Sequence, residues 1–465
     1  MGIIRDPDFE PEYTVPVVVI GGGACGLTAA IAARRQGADV VVLERDPHPA
    51  GSTAMSYGGI CGAGTKAQAR ADINDAADTF FEDIMTITKG QTDPALARTI
   101  ADNAGPTLDW LTEELGFDLE VEVQWAGLGH SNLRLHAPPG RSGEVLMGML
   151  LSAAEREGVD ILTQSKVEDL IVGEGDRVLG VVVKTPDGEE RFGAQQLILA
   201  TCGYGANEEL IATHMPELKG AQYYGHEGNE GDALLWGQAL DAAYDDLGAY
   251  QALGSLSSPG NLVIPHTLLI GGGAQINKNG ERFENEMHDI SGQALTILEQ
   301  PDGEIWIVTD EALHTEAADR FEEYRDAVKL NLCKNANTWE GLAEQIKVPA
   351  GALVQTMSDL QDFKDGSRQD PFGRDFAGTK KLEPPYYAIK VTGALFHTQG
   401  GLCVDSQARV VRRDGTAFPN LYAGGGAARS VSGPSVWGYL PGMGICTAVT
   451  LGKLAGETAA QSLTD

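Results

Sequence analysis

The fold is decided by residues 17–46, which read VVVIGGGACGLTAAIAARRQGADVVVLERD. Four β-branched residues, Val17 to Ile20, predict a buried strand, and the alanine-rich segment after the glycines predicts a helix. In the spacing Gly21-x-Gly23-x-x-Gly26, the glycines permit a tight turn, a close approach of the backbone to a pyrophosphate, and packing of helix on strand. The stretch therefore predicts a Rossmann-like dinucleotide-binding unit.

Both ends of this unit suit the polar parts of a dinucleotide. Free N–H groups and the helix dipole favour phosphate at the helix N-terminus, near Ala24 and Cys25. A second predicted strand, Val40 to Leu43, ends in Glu44, whose carboxylate can accept hydrogen bonds from a ribose. The alternative is a glycine turn with only a structural role.

The composition is that of a globular α/β enzyme, with 42% hydrophobic residues and 59 glycines among 465 residues. The formal net charge of −32 repels polyanions, so neither nucleic acid nor an anionic membrane surface is an expected partner. Because no signal-like N-terminus or run of eighteen apolar residues is present in the sequence, we expect a cytoplasmic protein without membrane insertion. The six cysteines are scattered singly, which predicts reduced thiols and no metal.

A segment rich in glycine and hydroxyl residues follows Arg45. Residues 48–65 read HPAGSTAMSYGGICGAGT. Its backbone N–H groups and side-chain hydroxyls suit a phosphate, a ribityl chain or the polar edge of a flavin ring. A flexible loop is the alternative.

These motifs resemble one flavoprotein superfamily. The glycine turn, the pair Glu44-Arg45 and the pattern S-T-A-x-S-x-G-G from Ser52 to Gly59 are similar to the FAD-binding domain of fumarate reductases and 3-ketosteroid dehydrogenases. The resemblance implies an α/β fold in which a Rossmann-like FAD-binding domain carries an inserted α+β capping (substrate) domain. It implies that residues 1–248 and 384–465 form the FAD-binding domain and residues 249–383 the capping domain, whose signature is NKNGERFENEMHD at 277–289.

The resemblance also implies how FAD is held. Covalent members of the superfamily carry a histidine six residues before the double glycine, and Ser52 occupies that position, so we expect non-covalent FAD. The last helix, predicted to begin near Gly442, is expected to point backbone N–H groups at the flavin pyrimidine ring. Further FAD contacts implied by the matched motifs are Thr53, Ser56, Gly58, Gly59, Val167, Ala200, Thr201, Gly203, Asn207, Asp232, Gly425, Gly444 and Ile445.

The substrate residues of dicarboxylate-using members are not retained. The positions of their substrate-binding histidine and two arginines correspond to Phe396, Tyr439 and His288 in this chain. The glutamate and arginine of the reductases' proton relay correspond to His266 and Leu269. A dianion among neutral side chains would lose its solvation without gaining a counter-charge, so fumarate and succinate are not expected substrates.

The side chains expected around the flavin carry hydroxyl, imidazole and apolar groups, and these suit a neutral carbonyl compound. Ketosteroid dehydrogenases have a tyrosine at or next to the Tyr439 position, and their Δ4-(5α) members share the G-Y-x-x-G pattern. We therefore expect an FAD-dependent dehydrogenase that desaturates a neutral, cyclic or steroid-like ketone to an enone, or catalyses the reverse reduction. Tyr439 and the Gly442 N–H would polarise the carbonyl. The base would be Tyr439, if its phenolate is stabilised or served by a relay, or alternatively His288, which could also act as the relay. Tyr386 or Tyr387 is a further catalytic candidate, and His266, Phe396, His397 and Trp437 are candidates near the substrate.

A second hypothesis is a flavin-dependent enoate or enone reductase. The segment from His130 to Arg141 precedes a predicted helix, and the resemblance places such a segment near the active-site mouth. Arg134 or Arg141 would then contact a substrate carboxylate, although solvated loop charges are an equal alternative. A non-catalytic flavin-binding protein is a third reading. With no second dinucleotide motif, we expect the electron acceptor to be oxygen, a quinone or a carrier protein rather than NAD(P)H.

Overall fold

The predicted strand, turn and helix lie at the centre of a large sheet in the computed structural model, which describes residues 2–464. The first strand of the motif, Thr14–Ile20, pairs in parallel with the strand Val40–Leu43, whose bounds match the prediction. Between them runs the helix Ala24–Arg35, which we call the nucleotide helix. The strand and helix are buried by the rest of their unit, as their apolar sequences require.

Within residues 2–464 this sheet has nine strands. Seven are adjacent in the order Gly2–Arg5, Lys166–Val172, Val178–Thr185, Gly188–Leu199, Thr14–Ile20, Val40–Leu43 and Asp160–Leu162. The long strand Gly188–Leu199 also pairs in parallel with Ala417–Ala423, which pairs antiparallel with Arg409–Val411. Two smaller sheets accompany it. One has three strands, in the order Ile60–Cys61, Leu135–Ala137 and Glu120–Val121, and the other pairs Tyr244–Asp245 with Gly401–Leu402.

The unit that contains this sheet has further α-helices besides the nucleotide helix. Their bounds are Gly51–Ala54, Lys66–Arg70, Ala77–Ile87, Pro94–Asp109, Gly143–Arg156, Glu208–His214, Asp232–Ala239 and Met443–Gln461. We call the helix Met443–Gln461 the closing helix. It begins one residue after Gly442, as predicted.

The closing helix packs against the nucleotide helix through two glycines. A Cβ atom added at Gly456 would lie 2.1 Å from the carbonyl oxygen of Ala29, and one at Gly452 would lie 2.5 Å from that of Cys25. Real side chains do not reach such distances without displacing the backbone. The two helices can therefore pack this closely only because glycine occupies both positions.

A second compact unit comprises residues 216–224 and 251–396. Its sheet is built around the strand Tyr386–Thr398, which pairs antiparallel with Glu304–Asp310 and Lys334–Ala336 and parallel with Gln222–Tyr223. The remaining strands are Tyr250–Ser257 and Ala274–Ile276. The helices are Thr267–Ile270, Gln293–Leu298, Glu311–Arg320, Glu322–Lys329, Trp339–Ile346 and Ala350–Lys364.

The first unit comprises residues 2–215, 225–250 and 397–464. The predicted unit boundaries lie at residues 249 and 384, whereas the compact units divide after residues 250 and 396, and residues 216–224 also group with the second unit. Residues 384–396 belong to the second unit because Tyr386 to Phe396 supply most of that unit's central strand. Between residues 2 and 464, no helix is long and apolar enough to cross a bilayer.

Candidate functional site

The glycine turn after Thr14–Ile20 leaves no room for side chains. Gly21 has a φ of +106°, and a Cβ there would lie 2.4 Å from the carbonyl oxygen of Ala200. A Cβ at Gly26 would lie 1.9 Å from the carbonyl oxygen of Gly21. Gly23 precedes the nucleotide helix without a side-chain cap. The Ala24 N–H donates to the Thr53 hydroxyl at 3.0 Å, and the helix start from Gly23 to Cys25 lines a cleft, an arrangement that suits a pyrophosphate.

Glu44 is held rigidly at this cleft. One carboxylate oxygen accepts a hydrogen bond from the N–H of Gly22 at 2.7 Å, and the other accepts one from the N–H of Asp46 at 2.9 Å. Each oxygen keeps a second lone pair. The predicted hydrogen bond from a ribose to Glu44 is therefore compatible with this geometry.

The cleft lies within the first unit. Much of its lining consists of residues assigned to FAD from the sequence. These are Gly21, Gly23, Ala24, Cys25, Glu44, Arg45, Ser52, Thr53, Val167, Ala200, Thr201, Asp232 and Gly425.

Asp232 provides an internal test of whether this cleft fits FAD. Its Oδ1 atom is buried and has no hydrogen-bond partner within residues 2–464. Burial raises the pKa of this carboxyl group to about 6. A buried acceptor without a donor is costly, and the hydroxyl groups of a ribityl or ribose chain are suitable donors. The residues present thus fit a dinucleotide that carries hydroxyl groups into the cleft.

Two residues of the cleft lining, Lys166 and Asn229, were not predicted, because their partners are distant in sequence. Lys166 and Arg45 both form ion pairs with Glu230, at 3.0 and 3.3 Å. Asn229 donates a hydrogen bond to the Ser52 hydroxyl at 2.8 Å. These contacts order the rim of the cleft.

Cys202, in the turn after the strand Gly188–Leu199, has a strained backbone. Its φ is +63°, in the left-handed region that non-glycine residues seldom adopt. Its thiol lies 3.9 Å from the Ser52 hydroxyl.

Other residues assigned to FAD lie outside the lining of this cleft and support its loops. The Ser56 hydroxyl donates to the carbonyl of Thr53 at 2.6 Å and accepts from the N–H of Gly58 at 3.0 Å. Asn207 accepts a hydrogen bond from the N–H of Leu210 at 3.1 Å and so caps the helix Glu208–His214. Gly203 also has a packing role, because a Cβ there would lie 2.0 Å from the Thr398 hydroxyl oxygen.

The start of the closing helix lies beside the double-glycine segment. Gly442 has a φ of +84°, and a Cβ there would lie 3.2 Å from the N atom of Cys61 and 3.5 Å from the carbonyl oxygen of Gly59. Gly444 and Ile445 follow in the first helical turn. Two segments assigned to the flavin, from opposite ends of the chain, are therefore neighbours.

His397 and Tyr439 lie at the same helix start. Their rings meet edge to face, with centroids 5.7 Å apart. A Cβ at Gly444 would lie 3.2 Å from the His397 Nε2 atom. Burial lowers the pKa of His397 to about 4 and raises the pKa of Tyr439 above its usual value, although the Gly442 N–H, which donates to the Tyr439 oxygen, opposes the latter shift. Both side chains are consequently neutral at physiological pH.

Arg134 was wrongly predicted to contact substrate. Its guanidinium is fully buried and bonds both carboxylate oxygens of Asp75 at 3.0 Å and one of Asp83 at 2.6 Å. The neighbouring Arg141 pairs with Glu122. These ion pairs hold the segment before the helix Gly143–Arg156, so Arg134 is a structural residue.

Trp437 was assigned to the substrate and has a cationic neighbour within the first unit. The Lys89 ammonium group lies 4.0 Å from the centre of the indole ring. This geometry is that of a cation–π contact. One face of the indole is therefore occupied by a side chain of the protein.

Tyr387, predicted to be catalytic, has both its hydroxyl and its ring engaged by other side chains. Within the second unit its hydroxyl donates to Glu311 at 2.5 Å, and its ring stacks on His314 with centroids 3.9 Å apart. The hydrogen bond to Glu311 raises the pKa of Tyr387 to about 12. Tyr386 stacks on Trp339 in the same way. Both tyrosines stabilise the packing of helices on the strand Tyr386–Thr398.

The other candidates of the second unit have different surroundings. The His266 Nε2 atom is buried and without a partner within the described chain, and burial together with Arg374 lowers its pKa to about 4. His288 is exposed. The Phe396 ring packs on Tyr224, with centroids 5.1 Å apart. Their assigned roles stay predictions.

The buried arginines of the second unit are neutralised by carboxylates. Arg282 forms ion pairs with Glu286 and Asp370, both at 2.7 Å, and Arg374 pairs with Glu286 at 3.1 Å. This network fixes the segment that carries the R-F-x-N-E signature. Arg282 therefore has the structural role that is usual for such a residue.

The FAD binding domain family model matches residues 16–446, most of the chain. This chain belongs to the FAD-binding flavoproteins of the fumarate reductase and succinate dehydrogenase superfamily. The flavoprotein is 30% identical over 458 residues to a probable fumarate reductase of Shewanella frigidimarina, with 98% of this chain and 76% of the relative covered.

Two solved structures show the same fold as this flavoprotein. One is the open conformation of a flavocytochrome c3 fumarate reductase, with a TM-score of 0.84, 30% identity, and 98% and 79% of the two chains covered. The other is the 3-ketosteroid-Δ4-(5α)-dehydrogenase of Rhodococcus jostii RHA1 in complex with 4-androstene-3,17-dione, with a TM-score of 0.77, 26% identity, and 97% and 98% covered. The flavoprotein thus binds FAD and acts as an oxidoreductase on CH–CH bonds.

Proposed function

We propose that this flavoprotein desaturates a neutral ketone, cyclic or steroid-like, to the corresponding enone. The observation that supports this most directly is the pair of neutral side chains, His397 and Tyr439, at the start of the closing helix. A neutral hydroxyl and a neutral imidazole can donate hydrogen bonds to a carbonyl oxygen without requiring an anionic substrate. The similarity to a ketosteroid dehydrogenase points to the same substrate class.

The distribution of buried positive charge supports a neutral substrate. Within residues 2–464 the buried arginines are Arg134, Arg282 and Arg374, and each pairs with a carboxylate of its own unit. No lysine is buried in that range. A dicarboxylate needs fixed cations that are free to bind it, because desolvating two unpaired negative charges costs several kcal/mol.

The proposed reaction moves one hydride and one proton. The Tyr439 hydroxyl donates to the ketone oxygen, which stabilises the negative charge that develops there and makes the adjacent C–H more acidic. The raised pKa of Tyr439 suits a donor and opposes a role as phenolate base. His288 remains the predicted base that removes the proton from the carbon next to the carbonyl. FAD supplies the acceptor for the hydride from the neighbouring carbon.

An anaerobic titration tests this proposal. Cyclic ketones and short dicarboxylates are added to the oxidised holoenzyme, and the flavin absorbance is followed. Ketones are expected to bleach the flavin, and succinate is expected to leave it unchanged. Bleaching by succinate, or by no ketone in the panel, would contradict the proposal.

The reduction of an unsaturated acid is a second candidate, supported by the 30% identity to a probable fumarate reductase. Its weakness is that the two cations named for the carboxylate, Arg134 and Arg141, both have acidic partners. Holoenzyme reduced by a low-potential donor should then be reoxidised by an enoate. Faster reoxidation by enoates than by enones would favour this candidate.

A further inference from the structure

Gln399 lies between His397 and a serine from another part of the first unit. Its amide nitrogen is 3.2 Å from the His397 Nδ1 atom, and its amide oxygen accepts a hydrogen bond from the Ser432 hydroxyl at 3.1 Å. Gln399 and Ser432 are only 3% and 2% exposed. The amide is therefore held from both ends in a setting where water does not compete.

The direction of these hydrogen bonds determines the protonation of the imidazole. In the structure the Ser432 hydroxyl donates to the amide oxygen, and the NH₂ end of Gln399 faces His397. An amide nitrogen only donates, so the Nδ1 atom must accept and carries no proton. In a neutral imidazole the single proton then resides on Nε2.

We propose that Gln399 and Ser432 are positioning residues that fix His397 as the neutral tautomer protonated on Nε2, so that it donates a hydrogen bond to the substrate carbonyl. That the acceptor is a ketone rests on the function proposed above. The tautomer itself follows from contacts within the first unit. Nothing in the sequence patterns described above pointed to a role for Gln399.

The surroundings of the ring favour a neutral donor. The Nε2 edge of His397 faces the first turn of the closing helix at Gly444, where the positive end of the helix dipole disfavours an imidazolium. Tyr439, the ring that packs against His397, is also uncharged. The Gly442 N–H occupies the Tyr439 oxygen as an acceptor, which leaves its O–H free to donate. A fixed imidazole N–H and a fixed phenol O–H would together need no rearrangement when charge develops on a carbonyl oxygen.

One competing arrangement is visible in the structure. The His397 Nδ1 atom also lies 3.4 Å from the carbonyl oxygen of Thr398, to which a protonated Nδ1 would donate. In that tautomer Nε2 would be an acceptor and could not stabilise a carbonyl oxygen. Its contact is longer than the one to Gln399.

Nitrogen NMR of the holoenzyme labelled with ¹⁵N-histidine separates the two tautomers without measuring activity. The signals of His397 are assigned by their loss in His397→Asn. We expect an unprotonated Nδ1 and a protonated Nε2 in the wild type. Gln399→Glu, whose carboxylate can only accept, should protonate Nδ1, and Gln399→Met should give a mixture. A protonated Nδ1 in the wild-type holoenzyme would overturn the proposal.

Turnover of a ketone tests the consequence of the tautomer. Gln399→Met is expected to lower kcat about tenfold and to change KM less than about twofold, because the donor acts chiefly on the developing charge. Ser432→Ala should act in the same direction. Gln196→Met is the control, since Gln196 is equally buried in the strand Gly188–Leu199 and has no assigned role. An unchanged kcat in Gln399→Met would exclude a positioning role.

The two measurements keep this inference apart from the proposed function. If no ketone is oxidised by any form of the protein, the proposed function fails. The NMR result then still decides whether Gln399 fixes the tautomer. FAD absorbance should be the same in all variants, which shows that each one folds and binds the cofactor.

Discussion

The imidazole of His397 meets the phenol ring of Tyr439 edge to face, with centroids 5.7 Å apart and ring planes inclined at 76°. This geometry is favourable for aromatic rings, because the positive edge of one faces the negative face of the other. It also places two neutral polar side chains at one helix N-terminus. The substrate class that we propose depends on this pair.

Replacing Tyr439 with phenylalanine should keep FAD bound and lower turnover of a ketone at least about tenfold, because the carbonyl loses a hydrogen-bond donor. Steady-state kinetics and the flavin spectrum measure the two effects. Tyr422→Phe is the control: it removes another buried hydroxyl, bonded to Ser462, in a residue outside the cleft. A Tyr439→Phe variant as fast as the wild type would exclude Tyr439 from the reaction.

Asp232→Asn should weaken FAD binding about 10- to 100-fold, because a neutral amide accepts hydrogen bonds less strongly than a carboxylate. The affinity is measured by titrating apoprotein with FAD. Asp187→Asn, in an exposed turn, is the matched control. Equal affinities in all three proteins would show that Asp232 does not contact the cofactor.

The same carboxyl group predicts a pH dependence. Burial raises the pKa of Asp232 from 3.8 to about 6, so between these values the folded apoprotein holds a proton that the unfolded chain has lost. Asp232 therefore makes the apoprotein less stable as pH rises from about 4 to about 6. Hydroxyl donors from FAD favour the ionised form, so FAD affinity should rise with pH across this window. Asp232→Asn should flatten both trends.

Gly456→Ala should destabilise the protein by about 1–3 kcal/mol, because the new methyl group would collide with the carbonyl of Ala29 and force the two helices apart. Chemical denaturation measures the change. Gly148→Ala is the control, since a Cβ there meets nothing within 4 Å. It should be neutral or stabilising, because alanine favours the helix.

Arg134→Met should lower the free energy of unfolding by about 3–5 kcal/mol, because it leaves Asp75 and Asp83 without their counter-charge. Arg70→Met removes an exposed pair with Glu113 and should cost less than about 1 kcal/mol. Thermal melts compare the two variants. A stable Arg134→Met protein with a raised KM would instead restore Arg134 as a substrate residue.

Features that depend on a few neighbouring residues were predictable. The glycine turn, the strand Val40–Leu43 and the start of the closing helix follow from local steric limits on the backbone, so their sequence patterns are diagnostic. The lining of the cleft by Gly21, Ala24 and Glu44 is a direct consequence. The resemblance to the flavoprotein superfamily extended the prediction of FAD contacts to segments far apart in the sequence, because each segment matches a motif of that superfamily.

Side-chain partnerships were not predictable in the same way. Arg134 and Tyr387 look like site residues in the sequence, yet Asp75, Asp83 and Glu311 engage their polar atoms. The contact of Gln399 with Ser432 likewise joins two loops that have no common motif.

The sequence by itself determined the FAD-binding fold of this protein and predicted the loss of the charged residues that hold a dicarboxylate. Only the tertiary structure decided which charged side chains neutralise one another and which neutral ones meet at the closing helix. The reason is physical: backbone conformation is limited mainly by adjacent residues, whereas the charge and protonation of a buried group depend on whatever the fold brings into contact with it.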